Sequence, residues 1–186
     1  AIQAKTPLII SVVAETHPHL TRGALRDFIT IMGEDYNPDI HNKTDDTFLI
    51  GNSVIEFFSV DQPHKARGAR RDILFINECN NISRELYDQL SVRTRKKEFL
   101  DFNPVSQFWA HELITQPGVS FDISTYKDNP YLDEAIVKNI ESRRALNPNW
   151  WRVYGEGQIG QREGLIIPDF ELIDEMPNIE TDIGMD

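Results

Sequence analysis

Two apolar runs constrain this chain most: "PLIISVVA" at 7–14 and "DILFIN" at 72–77. Each is continuous rather than alternating, rich in β-branched residues and short, so each reads as a strand buried on both faces. Such strands need helices above and below, and the sequence supplies helical patterns between them. Pro18 suits a first helical turn, Leu20, Ala24, Phe28 and Ile31 recur at helical spacing, and Gly33 can close the end. "SRELYDQLSVRT" (83–94) opens on a capping Ser83, and "SQFWAHELI" (106–114) reads as another helix. Strands alternating with helices predict an α/β fold with a parallel sheet flanked by helices.

The remaining segments extend the pattern. "TFLIGNSVIEFFSV" (47–60) is two strand-like runs around Gly51-Asn52, a pair suited to a tight hairpin. "KEFLDFN" (97–103) and the alternating "VSFDISTY" (119–126) read as strands. A helix is expected after Asn129-Pro130, with Leu132, Ile136 and Ile140 on its apolar face and Glu134–Lys138 as an i,i+4 pair. "NPNWWRVYGEG" repeats the Asn-Pro start signal. After Gly160 the chain turns acidic, apolar and Pro-punctuated, the composition of a linker that packs along a surface. These shifts divide the chain into a main domain over 1–160, a linker over 161–180 and a short terminal strand over 181–186.

Charge and cysteine content narrow the class. A net charge of −11 over 186 residues argues against a protein that coats nucleic acid with its whole surface. Positive charge is concentrated in "HKARGARR" (64–71) and "RTRKK" (93–97), each either a solvated face or a local contact patch. Arg93, Arg95, Lys96 and Lys97 are the candidates for DNA contact. One Cys excludes an intramolecular disulfide framework and fits a reducing compartment, and no apolar run approaches the roughly 20 residues that span a bilayer. The opening residues lack a basic region and cleavage pattern, so no signal peptide is expected. The five His residues show no metal-ligand spacing with Cys79 or one another, and Cys79 reads as a small buried residue. GxSxG, CxxC and HExxH are all absent, which removes the common hydrolase, redox and metalloprotease readings.

In an open parallel sheet the functional groups collect where strands end, which singles out "ILFINECNN" (73–81). A buried strand ending in Asp-Glu lets the Asp hold Mg²⁺ while the Glu orients or deprotonates the water that attacks a γ-phosphate. Here Glu78 occupies the base position and Asn77 replaces the metal-side carboxylate, bringing no charge. A plain strand-to-loop exit is the alternative. "FLDFNP" places Asp101 and Asn103 at a second strand end, either as a sensor of phosphate loss or as a Pro-closed turn. Arg67, with Arg70 and Arg71 as competitors, lies on the loop feeding the Glu78 strand, where Arg can reach a phosphate in its own subunit or a neighbour's.

Taken in order, "SVVAETHPHLTRGALRDF", "SVIEFFSVDQPHKARGARRDILFINECNNIS", "FLDFNPVSQFWAHE", "STYKDNPYL" and "WWRVYGEGQIGQREGLIIPDFELIDEMP" resemble the large subunit of the tailed-phage terminase, notably the branch in phages and prophages of gut bacteria. The resemblance covers nearly the whole chain. It implies an ASCE-type P-loop NTPase core, with "ILFINE" as the Walker B strand, Glu78 as catalytic carboxylate, "DFNP" as the coupling motif and Arg67 near an arginine finger. It also implies ATP and Mg²⁺ as cofactors of the complete protein, with none expected to bind tightly here. Implied partners are double-stranded DNA, a portal protein, a terminase small subunit and further copies in a homo-oligomeric ring, in the cytoplasm of an infected or lysogenic bacterium and without a membrane.

Two departures stand beside the resemblance. No GxxxxGK[ST] occurs, although that loop's amides and Lys bind the phosphates; the family carries it just upstream of a segment like "PLIISVVAE". "DIGMD" resembles the start of the family's RNase H-like nuclease, with Asp186 as its first metal-binding residue, yet two-metal sites need several carboxylates. The expectation is an ATPase-domain portion with little activity of its own. The alternatives are a catalytically inactive prophage remnant or interaction module, and a helicase-like ATPase of the same core fold.

Overall fold

The computed structural model describes residues 6–61 and 70–161. Its centre is a six-stranded sheet in the order β2-β3-β4-β1-β5-β6. The strands are β1 (Ile9–Ala14), β2 (His41–Asn42), β3 (Thr47–Ile50), β4 (Ser53–Ser59), β5 (Arg71–Ile76) and β6 (Thr94–Leu100). β4, β1, β5 and β6 run parallel, while β2 and β3 extend the sheet antiparallel beyond β4. The two runs read as buried strands are β1 and β5, and they are neighbours. The expected hairpin also forms, with Ile50 opposite Ser53 and Gly51 at φ 59°, a conformation that favours Gly.

The pleat sorts β1 between two cores. Val13 points into one with Phe58, Leu74 and Ile76, covered by Tyr87, Leu90, Ala110 and Leu113. Val12 and Ala14 point into the other with Phe57, Phe48 and Ile55, covered by Leu20 and Leu25. The helices on the second face are α1 (His17–Arg22) and α2 (Ala24–Met32); those on the first are α3 (Arg84–Ser91) and α4 (Ala110–Leu113). α3 starts at Ser83, whose hydroxyl accepts from Leu86 N–H at 3.3 Å.

The single helix expected over 18–33 is broken at Gly23, where a Cβ would sit 2.8 Å from His19 O. The break resets the helical phase, so the α2 stripe is Leu25, Phe28, Ile29 and Met32, and Ile31 is 84% exposed rather than in the core. Three other expectations are not met. The helix after Asn129-Pro130 is α5 (Glu134–Leu146), capped by Asp133, whose Oδ1 accepts from Ala135 N–H at 2.7 Å. Asn129 instead closes a turn, accepting from Tyr131 N–H at 3.1 Å. The apolar face of α5 is not buried, and Ile136 is exposed. "SQFWAHELI" contracts to α4. "VSFDISTY" forms no ladder among the described residues; a strand needs a neighbour, and alternation alone cannot supply one.

Asn147 does start a helix, α6 (Pro148–Trp150), by accepting from Trp150 N–H at 2.8 Å. A π-helical turn, Trp151–Gly155, continues it and buries Trp151 and Val153. Gly160 N–H then donates to Pro104 O at 2.8 Å, docking this region beside the end of β6. The proposed linker and terminal strand from 162 onwards, including Asp186, lie outside the described residues.

Candidate active site

Parallel pairing brings the carboxyl ends of β4, β1, β5 and β6 to one edge of the sheet. Asn77 N–H donates to Val13 O at 2.8 Å, so the Asn77-Glu78 pair leaves the sheet between β1 and β6. Glu78 itself is left-handed, at φ 54° and ψ 55°. For a residue with a Cβ this conformation costs roughly 1–2 kcal/mol, and it turns the chain sharply out of the strand.

Asp101 holds that turn. Its Oδ1 accepts from Glu78 N–H at 2.9 Å, its carbonyl accepts from Cys79 N–H at 2.8 Å, and its own N–H donates to Ile76 O at 3.2 Å. The end of β6 is thus stitched to the end of β5 on both sides of Glu78. Asn81 completes the arrangement by donating from Nδ2 to Glu78 Oε2 at 3.3 Å, which orients the carboxylate. Cys79 packs beneath, fully buried, and its burial pushes the thiol pKa up to about 12, so it is no nucleophile.

Although Asp101 is exposed as a residue, desolvation of its carboxyl group raises its pKa first, and the Glu78 charge adds to this; the hydrogen bond from Glu78 N–H works in the opposite direction. The two carboxylates are thus close enough at this edge for the charge of Glu78 to disfavour ionisation of Asp101.

The other candidates divide. Asn103 lies at the same edge, exposed, with its carbonyl accepting from Val105 N–H at 2.8 Å. Arg67 lies outside the described residues. Of its two competitors, Arg70 is exposed, whereas Arg71 is fully buried inside β5. Its guanidinium donates to Leu90 O at 3.2 Å and lies over the Phe58 ring at 5.6 Å, so it cannot reach a phosphate. The basic run at 93–97 is partly neutralised: Arg95 and Lys96 both pair with Asp72 Oδ1, at 3.4 and 3.3 Å. Arg93 donates to Gln89 O at 3.0 Å, and Lys97 lies over the Phe99 ring at 4.9 Å.

Sequence reasoning missed Asn81 and the backbone role of Asp101. The Asn pair after Glu78 was a usable signal, because Asn tolerates and stabilises tight turns. The left-handed Glu was not, since nothing in a Glu codes for it. It also missed Ser59, at the carboxyl end of β4, whose buried hydroxyl has no partner among the described residues. As for metal, Glu78 and Asp101 are adjacent carboxylates at this edge, and no group of three His, Cys, Asp or Glu side chains among the described residues could hold an ion. The donor set does not fit Mg²⁺ on its own.

The sequence of residues 40–158 matches the model of one protein family, the phage terminase large subunit. The chain belongs to that family. The phage terminase large subunit of PBSX, from Bacillus subtilis strain 168, is 22% identical across 92% of this chain but only 46% of its own length. The large terminase of a thermophilic bacteriophage superposes with a TM-score of 0.67 at 12% identity, covering 87% of this chain and 42% of that one. The same thermophilic phage's terminase solved with ATP-γ-S superposes at 0.58 with 14% identity, over 82% of this chain and 40% of that one. This terminase chain therefore spans somewhat less than half the length of the relatives it matches, and the shared part has the α/β fold of their sheet-bearing region. Among its described residues no helix is long and apolar enough to cross a membrane.

Proposed function

We propose that this chain is the ATPase-domain portion of a packaging motor whose complete form couples ATP hydrolysis to translocation of double-stranded DNA and then cleaves it. The observation that carries this reading is Glu78: a carboxylate at the end of a central parallel strand, turned out by a left-handed backbone and held by Asp101 and Asn81. In this role Glu78 orients or deprotonates the attacking water. Asn77 is its neutral neighbour, able to hydrogen-bond a water without adding charge. Asp101 and Asn103 form the coupling motif: loss of the γ-phosphate alters the environment of Glu78, and the Asp101 bonds transmit that change into β6. Arg67 supplies fixed positive charge to a phosphate of its own or a neighbouring subunit.

The residues present bind little nucleotide by themselves, because no GxxxxGK[ST] loop occurs in the sequence and the carboxylates among the described residues do not build a magnesium site. The donor set supports no step through Mg²⁺. Double-stranded DNA, a portal protein, a small subunit and a ring of copies are partners of the complete motor. DNA contact by this chain runs through Arg93, Arg95, Lys96 and Lys97, weakened by the Asp72 pairings and strongly salt-dependent.

Isothermal titration of the chain with ATP-γ-S and Mg²⁺ tests the nucleotide reading, and micromolar affinity would refute it. In a form carrying the complete phosphate loop, Glu78→Gln is expected to lower hydrolysis by about 100-fold or more while leaving nucleotide affinity in place. Equal turnover in the two forms would remove Glu78 from the chemistry.

A further inference from the structure

Asn81, which donates to the Glu78 carboxylate, owes its own orientation to a neighbour. Its backbone is fixed: Asn81 N–H donates to Glu78 O at 3.0 Å, Ile82 N–H donates to Cys79 O at 3.1 Å, and the Trp109 indole N–H reaches Ile82 O at 2.7 Å from the segment beyond β6. What the backbone leaves open is the side chain, because an amide carries a donor at one end and an acceptor at the other, and the two ends have nearly the same shape. A carboxylate accepts only, so it can bond the donor end alone. The acceptor end of Asn81 is taken by Asn80, whose Nδ2 donates to Asn81 Oδ1 at 3.0 Å. The side chains thus form a one-way chain, from Asn80 Nδ2 to Asn81 Oδ1 and from Asn81 Nδ2 to Glu78 Oε2.

This arrangement weakens the fold. Asn80 Oδ1 is buried and has no hydrogen-bond partner among the described residues, a state that native proteins largely avoid. Turning the amide over would not relieve it, since Asn80 Oδ1 would then face Asn81 Oδ1 and Nδ2 would become the buried orphan. Nor does the bond between the two amides compensate, because it lies at an exposed position where water competes for both groups. Leu has nearly the shape of Asn and would remove the orphaned oxygen. A polar side chain that costs the fold stability, two residues from Glu78, points to a task at that site.

We propose that Asn80 is a positioning residue for hydrolysis, acting through Asn81 to hold the Glu78 carboxylate in one orientation. This rests on the reading of Glu78 as the group that orients or deprotonates the attacking water. By occupying Asn81 Oδ1, Asn80 keeps that oxygen from turning towards the carboxylate, and it polarises the amide so that Nδ2 is a stronger donor. With one carboxylate oxygen engaged by Asn81, the direction of the other is set. Asn80 acts on the orientation of Glu78 and not on nucleotide, so its loss lowers kcat and leaves KM in place.

The test replaces Asn80 by Leu and reads stability and turnover separately. In this chain Asn80→Leu should melt no lower than the unaltered protein, because it keeps the shape and removes a buried unpaired acceptor. In a form carrying the complete phosphate loop, the same substitution should lower kcat about 5- to 20-fold with KM unchanged. Asn81→Ala should lower kcat at least as much, and adding Asn80→Leu to it should change nothing further, since the effect of Asn80 passes through Asn81. A lower melting temperature, an unchanged kcat, a raised KM or a further loss in the Asn81→Ala background overturns the proposal. Glu78→Gln in the same assay separates the two levels: if it is slow while Asn80→Leu turns over normally, the positioning role alone falls, and if it turns over normally, the role of Glu78 falls and the positioning role with it.

Discussion

The left-handed Glu78 makes a prediction whose sign is unusual. Replacing it by Gly and by Ala removes the carboxylate and the Asn81 bond equally, and both leave the Glu78 N–H bond to Asp101 intact. The two variants then differ only in the backbone at φ 54°, ψ 55°. Ala retains the left-handed penalty of roughly 1–2 kcal/mol, which Gly does not carry; the greater freedom of Gly in the unfolded chain takes back roughly 0.5–1 kcal/mol. Glu78→Gly is therefore expected to be more stable than Glu78→Ala by about 0.5–1 kcal/mol. With an unfolding slope near 2 kcal/mol per molar urea, the midpoint rises by about 0.3–0.5 M. The control is Asp88, inside α3, where the same pair of substitutions should reverse order because Gly weakens a helix interior by roughly 0.5–1 kcal/mol. If Gly is no more stable than Ala at position 78, Glu78 is not held in a strained conformation, and the account of the site as a sharp turn pinned by Asp101 is wrong.

Three further outcomes follow from other contacts. Asp101→Ala removes the side-chain acceptor for Glu78 N–H and should destabilise by about 1–2 kcal/mol, whereas Asp101→Asn keeps an acceptor oxygen and should cost less than half as much; equal losses in thermal melts would show that this bond is idle. Asp72, buried at 4% exposure, has its pKa depressed first by the Ile9 N–H bond and then by Lys96 and Arg95, against the effect of burial. A depressed carboxylate stabilises above its unfolded pKa of about 3.9 and loses that contribution as pH falls through the folded value. The stability gap between the unaltered chain and Asp72→Asn should therefore be widest near neutrality and close below about pH 4, and a gap constant with pH would contradict this pairing. Gly160→Ala would place a Cβ 2.5 Å from Val105 O and 2.8 Å from Val153 Cγ2, so a loss of about 1–3 kcal/mol in urea unfolding is expected; a neutral result would mean that the segment does not dock beside β6.

The sequence by itself determined the class of the fold and the position of Glu78. Two β-branched runs too apolar for any exposed surface had to become central strands, and the polar residues ending them had to collect at one edge. Hairpin geometry at Gly51 and the caps at Ser83 and Asn147 were equally legible, because each depends on chemistry within four or five residues. Tertiary structure decided what depends on a distant neighbour. The break at Gly23 moved the buried stripe of α2 away from Ile31, and burial in β5 took Arg71 out of reach of any phosphate. Asp72, remote from the 93–97 run in sequence but on the adjacent strand, drew Arg95 and Lys96 into pairs. The 119–124 segment kept the alternation of a strand but has no ladder partner among the described residues. Most of all, the left-handed turn at Glu78 exists because Asp101, 23 residues further along, accepts its N–H, a bond that forms only when β6 lies beside β5.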